Sequence, residues 1–381
     1  MAVDFSFSEE QELLRQEIRR FAEERILPGV RERDRSHTFP ADLLVEAGEM
    51  GLLGMLVDER YGGSGFDPLS YCLAVEEISR ICPSVGVTMS VSNSVCCWPI
   101  AKFGSEEIKQ RFLPDLASGR KLGGFCLTEA GSGSDAGAML TTARRDGDDF
   151  VLDGAKVWIT NAGVAGTFVV MAKTDRTAGK KGISAFVVDA ASPGVEIGRP
   201  EEKLGLRASV TAAVSFSDCR VPSGHLLGEE GAGFKIALAT LDHSRLGIAA
   251  QAVGIHQRAL ELAVAYSRER VQFGVPIGEH QAVQFLLARM ATELAAARVL
   301  LWYSALSEKL PAAGRLAAEA KAYASEAANR AVWDALQIHG GNGFSDDYEI
   351  ARLYRDVRVT TIYEGTSEMQ RLVIARHLLS T

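Results

Sequence analysis

Three long, alanine-rich stretches without proline fill much of the second half of the chain. They cover residues 234–270, 280–310 and 317–341, and the first reads FKIALATLDHSRLGIAAQAVGIHQRALELAVAYSRER. Because proline breaks helix interiors and alanine favours them, each stretch predicts one long helix. At 1.5 Å per residue such helices reach roughly 40 Å. We therefore expect an antiparallel helical bundle over residues 231–381.

The character of the sequence changes near residue 121 and again near residue 231. Before the first change, apolar residues such as Phe21 and Ile26 recur at helical spacing, which predicts a helical domain over residues 1–120. Between the two changes, short β-branched runs such as AKVWIT, GTFVVMAKT and GISAFVVDA alternate with turn residues. They predict a compact β domain, a barrel or a sandwich, over residues 121–230. The predicted fold class is a multidomain α+β protein.

The composition argues against several classes of protein. The 381 residues carry a formal net charge of −8, whereas a general nucleic-acid binder presents a basic face. No window approaches the roughly 20 apolar residues of a membrane span, and the acidic N-terminal segment resembles neither a signal nor a transit peptide. The 6 cysteines form no CxxC pair and the 7 histidines no HExxH motif. We predict a cytoplasmic protein with reduced thiols and no metal site.

A glycine-rich loop follows the first predicted strand of the β domain. FCLTEA at 125–130 leads into GSGSDAG at 131–137, which is neither a GxGxxG nor a GxxxxGK[ST] nucleotide motif. Alone, such a cluster is most often only a loop, although its amides can form an anion-binding nest. A second strand, KVWITNAG, brings the aromatic ring of Trp158 and the hydroxyl of Thr160 to a strand end. A tryptophan in that position is more often core than ligand contact.

Polar residues also interrupt the helical region. Asp242 and Arg245 stand three apart, so they share one helical face, as either a weak surface ion pair or a ligand contact. The segment RERVQFGVPIGEHQ breaks the first two long helices. Gly340 and Gly341 end the third as a C-cap, and they also permit close approach of a bulky ligand.

The stretch YEGTSE places Glu364 before a glycine at the start of a helix. We predict that Ser367 and Gln370 form a capping box for that helix. Favourable placement of a carboxylate near the positive helix end explains Glu364 but not the glycine beside it. The alternative is a carboxylate that serves as a base, if apolar surroundings raise its pKa.

The motifs FCLTEAGSGSDAG, KVWITNAG, RVQFG, QIHGGNG and IYEGTSEMQRLVIARHLL occur in the order and spacing of the acyl-CoA dehydrogenases. The resemblance covers nearly the whole chain and is greatest to the short-chain, butyryl-CoA type. It implies a helical N-terminal domain, a middle β-barrel-like domain and a C-terminal four-helix bundle. It also implies a homotetramer, a dimer of dimers, with FAD bound between subunits.

The resemblance also implies roles for individual residues. Glu364 matches the catalytic base, while some relatives carry their base at the position of Ser244. The substrate contacts would be Ser134, Asp242, Arg245 and Gly365. The FAD contacts would be Phe125, Leu127, Thr128, Gly133, Ser134, Trp158, Ile159, Thr160, Arg270, Gln272, Phe273, Gln281, Gln337, Ile338, Gly340, Gly341, Thr366, Ser367 and Glu368. Ala130, His339 and Phe125 depart from the usual family residues.

The implied reaction is α,β-dehydrogenation of an acyl-CoA to trans-2-enoyl-CoA, as in fatty acid β-oxidation, with electrons passed to an electron-transfer flavoprotein. The acyl chain is expected to be short or branched and short. Two alternatives remain open: an acyl-CoA oxidase of the same fold that uses oxygen, and a catalytically silent CoA-binding scaffold. The scaffold is expected to lack the base or the flavin contacts, and this sequence has both.

Overall fold

A computed structural model describes residues 6–380 of the chain. The N-terminal segment is helical, as predicted. Its helices are α1 (Glu9–Phe21), α2 (Val30–Ser36), α3 (Ala41–Glu49), α4 (Pro68–Ile81), α5 (Pro83–Val91), α6 (Trp98–Phe103) and α7 (Glu106–Ala117). Helices α4 and α5 are buried on nearly every side, which is why α5 shows no separate polar face. The charged residues of α4 are buried as ion pairs, such as Glu77 with Arg15 and Glu76 with Arg298.

The middle segment folds into one eight-stranded sheet. Its strands are β1 (Leu122–Cys126), β2 (Thr142–Asp146), β3 (Asp149–Thr160), β4 (Ala165–Lys173), β5 (Ile183–Asp189), β6 (Val195–Ile197), β7 (Thr211–Pro222) and β8 (Leu226–Leu227). Their order is β6-β7-β3-β2-β4-β5-β8, and β1 pairs in parallel with β4. The remaining ladders are antiparallel, apart from a single parallel pair between β2 and β4.

Strand β4 carries a continuous apolar run over 168–172 because both of its faces are covered. Phe168 and Val170 point into the core of the β domain. Val169 and Met171 point the other way and pack in a cluster with Leu113 of α7. A strand buried on both faces reads as a continuous apolar run rather than an alternating one. One face of the sheet therefore packs against helices of the N-terminal segment, including α7.

The C-terminal segment is a bundle. It contains α8 (Gly233–Glu269), the short strands β9 (Val271–Gln272) and β10 (Val275–Pro276), α9 (Gln281–Leu306), α10 (Ala313–His339), α11 (Glu349–Val357) and α12 (Ser367–Leu379). The three predicted long helices are confirmed. Helix α8 packs against α10, α9 and the N-terminal α4, so it belongs to the bundle and to the N-terminal domain at once. The domain boundaries placed at 120 and 230 stay predictions.

Glycine allows α8 to approach α4 closely. A Cβ atom added at Gly254 would lie 2.8 Å from the backbone nitrogen of Arg80 and closer still to the carbonyl oxygen of Glu76. Neither backbone atom can move away without shifting α4. Small residues at such crossings set the distance between helix axes.

Replacing Gly254 by alanine is therefore expected to destabilise the protein by about 1–3 kcal/mol, because overpacking outweighs the gain in helix propensity of about 1 kcal/mol. Gly314→Ala on α10 is the control, since its Cβ would meet only the end of the Asp242 side chain, at 3.0 Å. Thermal unfolding of both variants checks this. Equal midpoints would contradict the close crossing.

A buried asparagine ties the sheet to the helices. Asn161, at the end of β3, has a positive φ of 68°. Its side-chain nitrogen donates to the carbonyl oxygens of Thr88 on α5 (3.2 Å) and Gly123 on β1 (3.0 Å). Asparagine tolerates the left-handed conformation better than most residues. The start of β1 and the end of β3 are thus held beside α5, close to the site described next.

In the part of the chain that the structure describes, no helix has the length and apolar character needed to cross a membrane. All six cysteines are free and buried, as predicted. Burial raises the pKa of the Cys97 thiol to about 12, so it is a poor nucleophile near neutral pH.

Candidate active site

Glu364 lies on a sharp turn between a 3-10 segment and α12. Its φ is +52° and that of Gly365 is +86°, so two successive residues adopt the left-handed conformation. Such a conformation is uncommon for a residue with a side chain and marks a functional position more often than chance. The glycine predicted to matter here is needed for the backbone path itself.

The predicted capping box at Ser367 is wrong by one residue. Thr366 is the N-cap, and its hydroxyl accepts a hydrogen bond from the Met369 amide at 3.3 Å. Gln370 does not close a box with Ser367. Its side-chain nitrogen instead donates to the carbonyl oxygens of Glu364 (3.1 Å) and Gly365 (2.8 Å). The glutamine thus provides hydrogen bonds to the carbonyl oxygens of the two residues with positive φ.

The Glu364 carboxylate lies against α8 and is partly buried. Its Oε2 accepts a hydrogen bond of 2.6 Å from the hydroxyl of Ser244. Burial raises the pKa of Glu364, and the Ser244 hydrogen bond and the charges of Lys321 and Arg245 offset only part of that effect. A carboxylate with a raised pKa is a stronger base than one in water. Ser244 therefore acts as a hydrogen-bond partner to the carboxylate.

Asp242 and Arg245 lie on one face of α8 and form an ion pair. The Arg245 guanidinium is buried and its Nε makes no hydrogen bond, while Asp242 is partly exposed. Burial lowers the pKa of Arg245, against the attraction of Asp242 and Glu364. A buried arginine with a free donor beside the candidate base can bind an acceptor group of a ligand.

The two strand ends predicted to hold a cofactor lie side by side. The Thr128 carbonyl oxygen, after β1, accepts a hydrogen bond of 2.9 Å from the Val157 amide of β3. The pairing of β3 with β7 shifts register between Lys156 and Ile159, and Trp158 there has a φ of +62°. That irregularity turns the indole outward, so that 61% of Trp158 is exposed.

Not every predicted contact offers its side chain. Leu127 and Ile159 are buried in the core, so only their backbone groups can reach a ligand. Phe125 and Thr128 are partly exposed and Ser134 is exposed. A Cβ atom added at Gly133 would meet no neighbour within 4 Å. The loop is therefore open to solvent at Gly133 and Ser134.

A buried ion pair that we did not predict anchors this loop. The ammonium group of Lys156 has no exposed surface and lies 2.8 Å from the Glu129 carboxylate. Glu129 also accepts from the amides of Leu140 (2.6 Å) and Thr141 (3.0 Å). Burial opposes ionisation of Glu129, but the hydrogen bonds from Lys156, Thr141 and Leu140 outweigh it and lower its pKa to about 2. A lysine at an inward-facing strand position was the signal available in the sequence.

The remaining predicted cofactor residues lie elsewhere. Arg270, Gln272, Phe273 and Gln281 are exposed around the turn between α8 and α9, and Phe273 is 95% exposed. Arg270 follows the far end of α8, roughly 40 Å along the helix from Ser244. One chain therefore does not bring this group together with Glu364 around a single ligand.

The end of α10 is also exposed at Gln337, Gly340 and Gly341, whereas Ile338 and His339 are buried. The imidazole of His339 stacks on Tyr266 with ring centroids 4.3 Å apart, and its Nδ1 lies 2.7 Å from the Ala335 carbonyl oxygen. His339, which departs from the family pattern, thus packs inside its own chain.

Three family models match the chain in sequence order. The acyl-CoA dehydrogenase N-terminal domain matches residues 8–120, the middle domain residues 124–219 and the C-terminal domain residues 231–379. The chain belongs to the acyl-CoA dehydrogenase family. The helical, β and helical fold class is confirmed with it, and so is the expected enzyme class, a flavin oxidoreductase acting on CH–CH bonds.

Individual proteins and solved structures are similar to this chain over nearly its whole length. The short-chain specific enzyme of Bos taurus is 51% identical over 98% of this chain and 91% of its own length. The butyryl-CoA dehydrogenase structure from Megasphaera elsdenii is 42% identical with a TM-score of 0.97, covering 99% and 100% of the two chains. A structure described as the electron transferring flavoprotein of Acidaminococcus fermentans is 45% identical with a TM-score of 0.98, covering 100% of both.

Acyl-CoA dehydrogenases use FAD, and FAD is the cofactor of this member. The residues on the strand ends fit it. The outward indole of Trp158 offers a flat apolar face, the hydroxyls of Thr128 and Thr160 offer polar contacts, and the space beside Gly133 is open. A flavin ring needs such a combination of one apolar face and a few polar groups at its edge.

Proposed function

We propose that this protein dehydrogenates short-chain acyl-CoA thioesters to trans-2-enoyl-CoA, with Glu364 as the base that removes the α-proton. The observation that carries the proposal is the Glu364 carboxylate: it is partly buried, its pKa is raised, and it is held by Ser244 next to the buried Arg245. Within the family to which the chain belongs, this is the chemistry that such a carboxylate serves.

The side chains act as follows in this proposal. Glu364 takes the proton from the carbon next to the thioester carbonyl, and its own backbone N–H donates to that carbonyl oxygen. The developing negative charge on the oxygen is thereby stabilised, which makes the proton more acidic. Gly365 leaves room for the thioester. FAD, when bound, supplies the acceptor for the hydride that leaves the β-carbon.

A surface groove beside Asp242 is a candidate binding site for the CoA moiety of the substrate. Lys180, Lys181, Phe234 and Lys235 line it, and the Lys180 ammonium nitrogen lies 5.0 Å from the centre of the Phe234 ring. Lysines attract phosphate and an aromatic ring can cover an adenine. We propose that the groove leads the CoA chain from the surface to Asp242, Arg245 and Ser134.

The space around Glu364 favours a short acyl group. Tyr363, directly before the base, packs with the apolar cluster of Val87, Val91, Val95 and Leu206, and its hydroxyl binds the side chain of buried Gln251. Side chains therefore fill the region around Tyr363, next to the turn that carries Glu364. The relatives from Bos taurus and Megasphaera elsdenii are named for short-chain and butyryl substrates, which supports the same size.

A panel of acyl-CoA thioesters tests this proposal. We expect butyryl-CoA to bleach the flavin absorbance fastest, and octanoyl-CoA to react at least about tenfold more slowly, because each methylene without space loses binding or forces repacking. Stopped-flow absorbance under anaerobic conditions measures the rates. A preference for octanoyl-CoA would contradict the short pocket, and no bleaching by any thioester would contradict the dehydrogenase.

We further propose an electron-transfer flavoprotein as the electron acceptor. The 45% identical structure from Acidaminococcus fermentans is described as such a flavoprotein, which associates this fold with that partner. The alternative, an oxidase, would consume one molecule of O2 for each thioester that it oxidises. An oxygen electrode during turnover separates the two, and we expect negligible oxygen consumption.

A homotetramer with FAD between subunits is the assembly we propose. The exposed group around Arg270 lies far from Glu364 in one chain, and a neighbouring chain could present it to the same cofactor. Large apolar side chains at Phe273, Phe285 and Phe344 are exposed on the bundle side, which supports an interface there. The cytoplasmic location and a role in β-oxidation remain part of the same proposal.

A further inference from the structure

A buried lysine from α10 fastens the turn that carries Glu364. Lys321 has no exposed surface, and its ammonium nitrogen lies 2.6 Å from the carbonyl oxygen of Gly365. Within residues 6–380 it makes no salt bridge. Buried lysines usually pair with a carboxylate, since desolvation of the charge is otherwise uncompensated. This ammonium group is instead placed on a backbone oxygen one residue from the candidate base.

The backbone at this point needs holding. Glu364 has a left-handed φ that residues with a side chain rarely adopt, and Gly365 continues the same conformation. Among the residues that the structure describes, two side chains donate to the Gly365 carbonyl oxygen, Lys321 from α10 and Gln370 from α12. Only Lys321 brings a charge. The two donors therefore share one geometric task but differ in their electrostatic effect.

Several groups face Glu364 from the elements packed around it. Ser244 and Arg245 lie on α8, Lys321 on α10 and Tyr71 on α4, while Tyr363 precedes the base in its own turn. Burial raises the pKa of Glu364, and Ser244, Lys321 and Arg245 lower it in that order.

Lys321 itself is affected by its surroundings. Burial lowers its pKa to about 8, with the charges of Glu364, Glu368 and Glu326 opposing the shift and that of Arg245 adding to it. Below that pH the ammonium form is present, and its positive charge favours the ionised form of the nearby carboxylate.

We propose that Lys321 is a positioning residue: it holds the left-handed turn through the Gly365 carbonyl, and its charge keeps Glu364 ionised and ready to accept a proton. This inference rests on the proposed role of Glu364 as the base. It extends that role by naming the group that sets both the direction and the protonation state of the carboxylate.

Lys321→Met and Gln370→Met separate the two effects. Each replaces a fully buried donor to the same oxygen by an unbranched apolar side chain, but only the first removes a charge. Exchange of the α-hydrogens of acetyl-CoA for solvent deuterium, followed by mass spectrometry across a range of pH, reports on proton removal alone, since acetyl-CoA has no β-carbon. FAD content and thermal unfolding of each holoenzyme report on folding.

We expect Lys321→Met to slow exchange roughly tenfold or more at neutral pH and to move the acidic limb of the pH profile upward by about one unit. The direction follows because loss of a positive charge raises the pKa of Glu364, so a higher pH is needed to ionise it. Gln370→Met is expected to slow exchange at every pH without moving the limb.

An unchanged rate and limb in Lys321→Met would overturn the proposal, and so would a slower rate with the limb unmoved, as in Gln370→Met. If Lys321→Met does not fold, Lys321→Gln keeps an N–H donor without the charge and must show the same upward shift. Measuring Glu364→Gln in parallel distinguishes a failure of the Lys321 proposal from a failure of the proposed function. Exchange at the wild-type rate in Glu364→Gln would contradict the proposed function, because Glu364 would not be the base.

Discussion

Glu364→Gln is expected to lower the rate of flavin reduction by butyryl-CoA by roughly three orders of magnitude, while the variant keeps its FAD and its fold. Glutamine has nearly the same shape and can still accept the 2.6 Å hydrogen bond from Ser244, but its amide cannot take up the α-proton. Stopped-flow absorbance measures the rate. The FAD content per chain and the thermal midpoint show that only the chemistry has changed.

Ser244→Ala serves as the matched comparison. It leaves the carboxylate in place and removes the hydrogen bond that lowers its pKa, so we expect a loss of only about tenfold and an upward move of the acidic limb. A Glu364→Gln variant with near-normal flavin reduction would mean that another group is the base.

Lys156→Met is expected to give the largest loss of stability, about 3–5 kcal/mol, together with loss of FAD. The variant leaves the Glu129 carboxylate buried without Lys156, the one cationic group that pairs with it among residues 6–380. Glu129 also anchors the amides of Leu140 and Thr141, so the loop over 131–135 loses its support. Thermal unfolding and the flavin absorbance of the purified protein measure the two effects.

The double variant Lys156→Met/Glu129→Leu distinguishes a lost ion pair from a charge left alone. Replacing both partners by apolar residues often costs little, so we expect its stability to lie well above that of Lys156→Met. If the double variant is as unstable as the single one, the unpaired charge is not the cause.

Acid should weaken the same ion pair in the wild type. Glu129 ionises with a pKa of about 2 in the folded chain, against an ordinary value of 4.5. Its contribution to stability is therefore complete above about pH 4.5 and disappears as the pH falls through about 2.

The long-range pattern of the sequence was enough to predict the fold. The proline-free stretches became α8, α9 and α10, and the β-branched runs became the strands of one sheet, because helix and strand preferences agree with burial in these segments. The capping box failed because Ser367 and Thr366 are both good caps, and only the backbone conformation at Gly365 decides which of them ends the turn.

The sequence predicted those site residues whose type is unusual for their position. It did not predict residues whose role depends on a contact between segments that are distant in sequence. Glu364 stands out beside a glycine. The partners that set its pKa, Ser244 and Lys321, are 120 and 43 residues away in sequence, and ordinary helix positions by type. Lys156 likewise looked like one polar residue in a strand, although its ammonium group is buried on a carboxylate 27 residues earlier.

Helix α8 bears Ser244 and Arg245, and Gly247 follows two residues after Arg245. An added Cβ at Gly247 would meet the side chains of Tyr71 and Ser90, and seven residues further on Gly254 packs directly against α4. Larger side chains therefore cannot be accommodated at these glycines without moving α8. New substrate ranges in descendants of this protein, natural or engineered, would have to arise from α5 and from the approach to Glu364. Libraries intended to admit larger thioesters should vary Val87, Val91 and Tyr363 and leave α8 as it is.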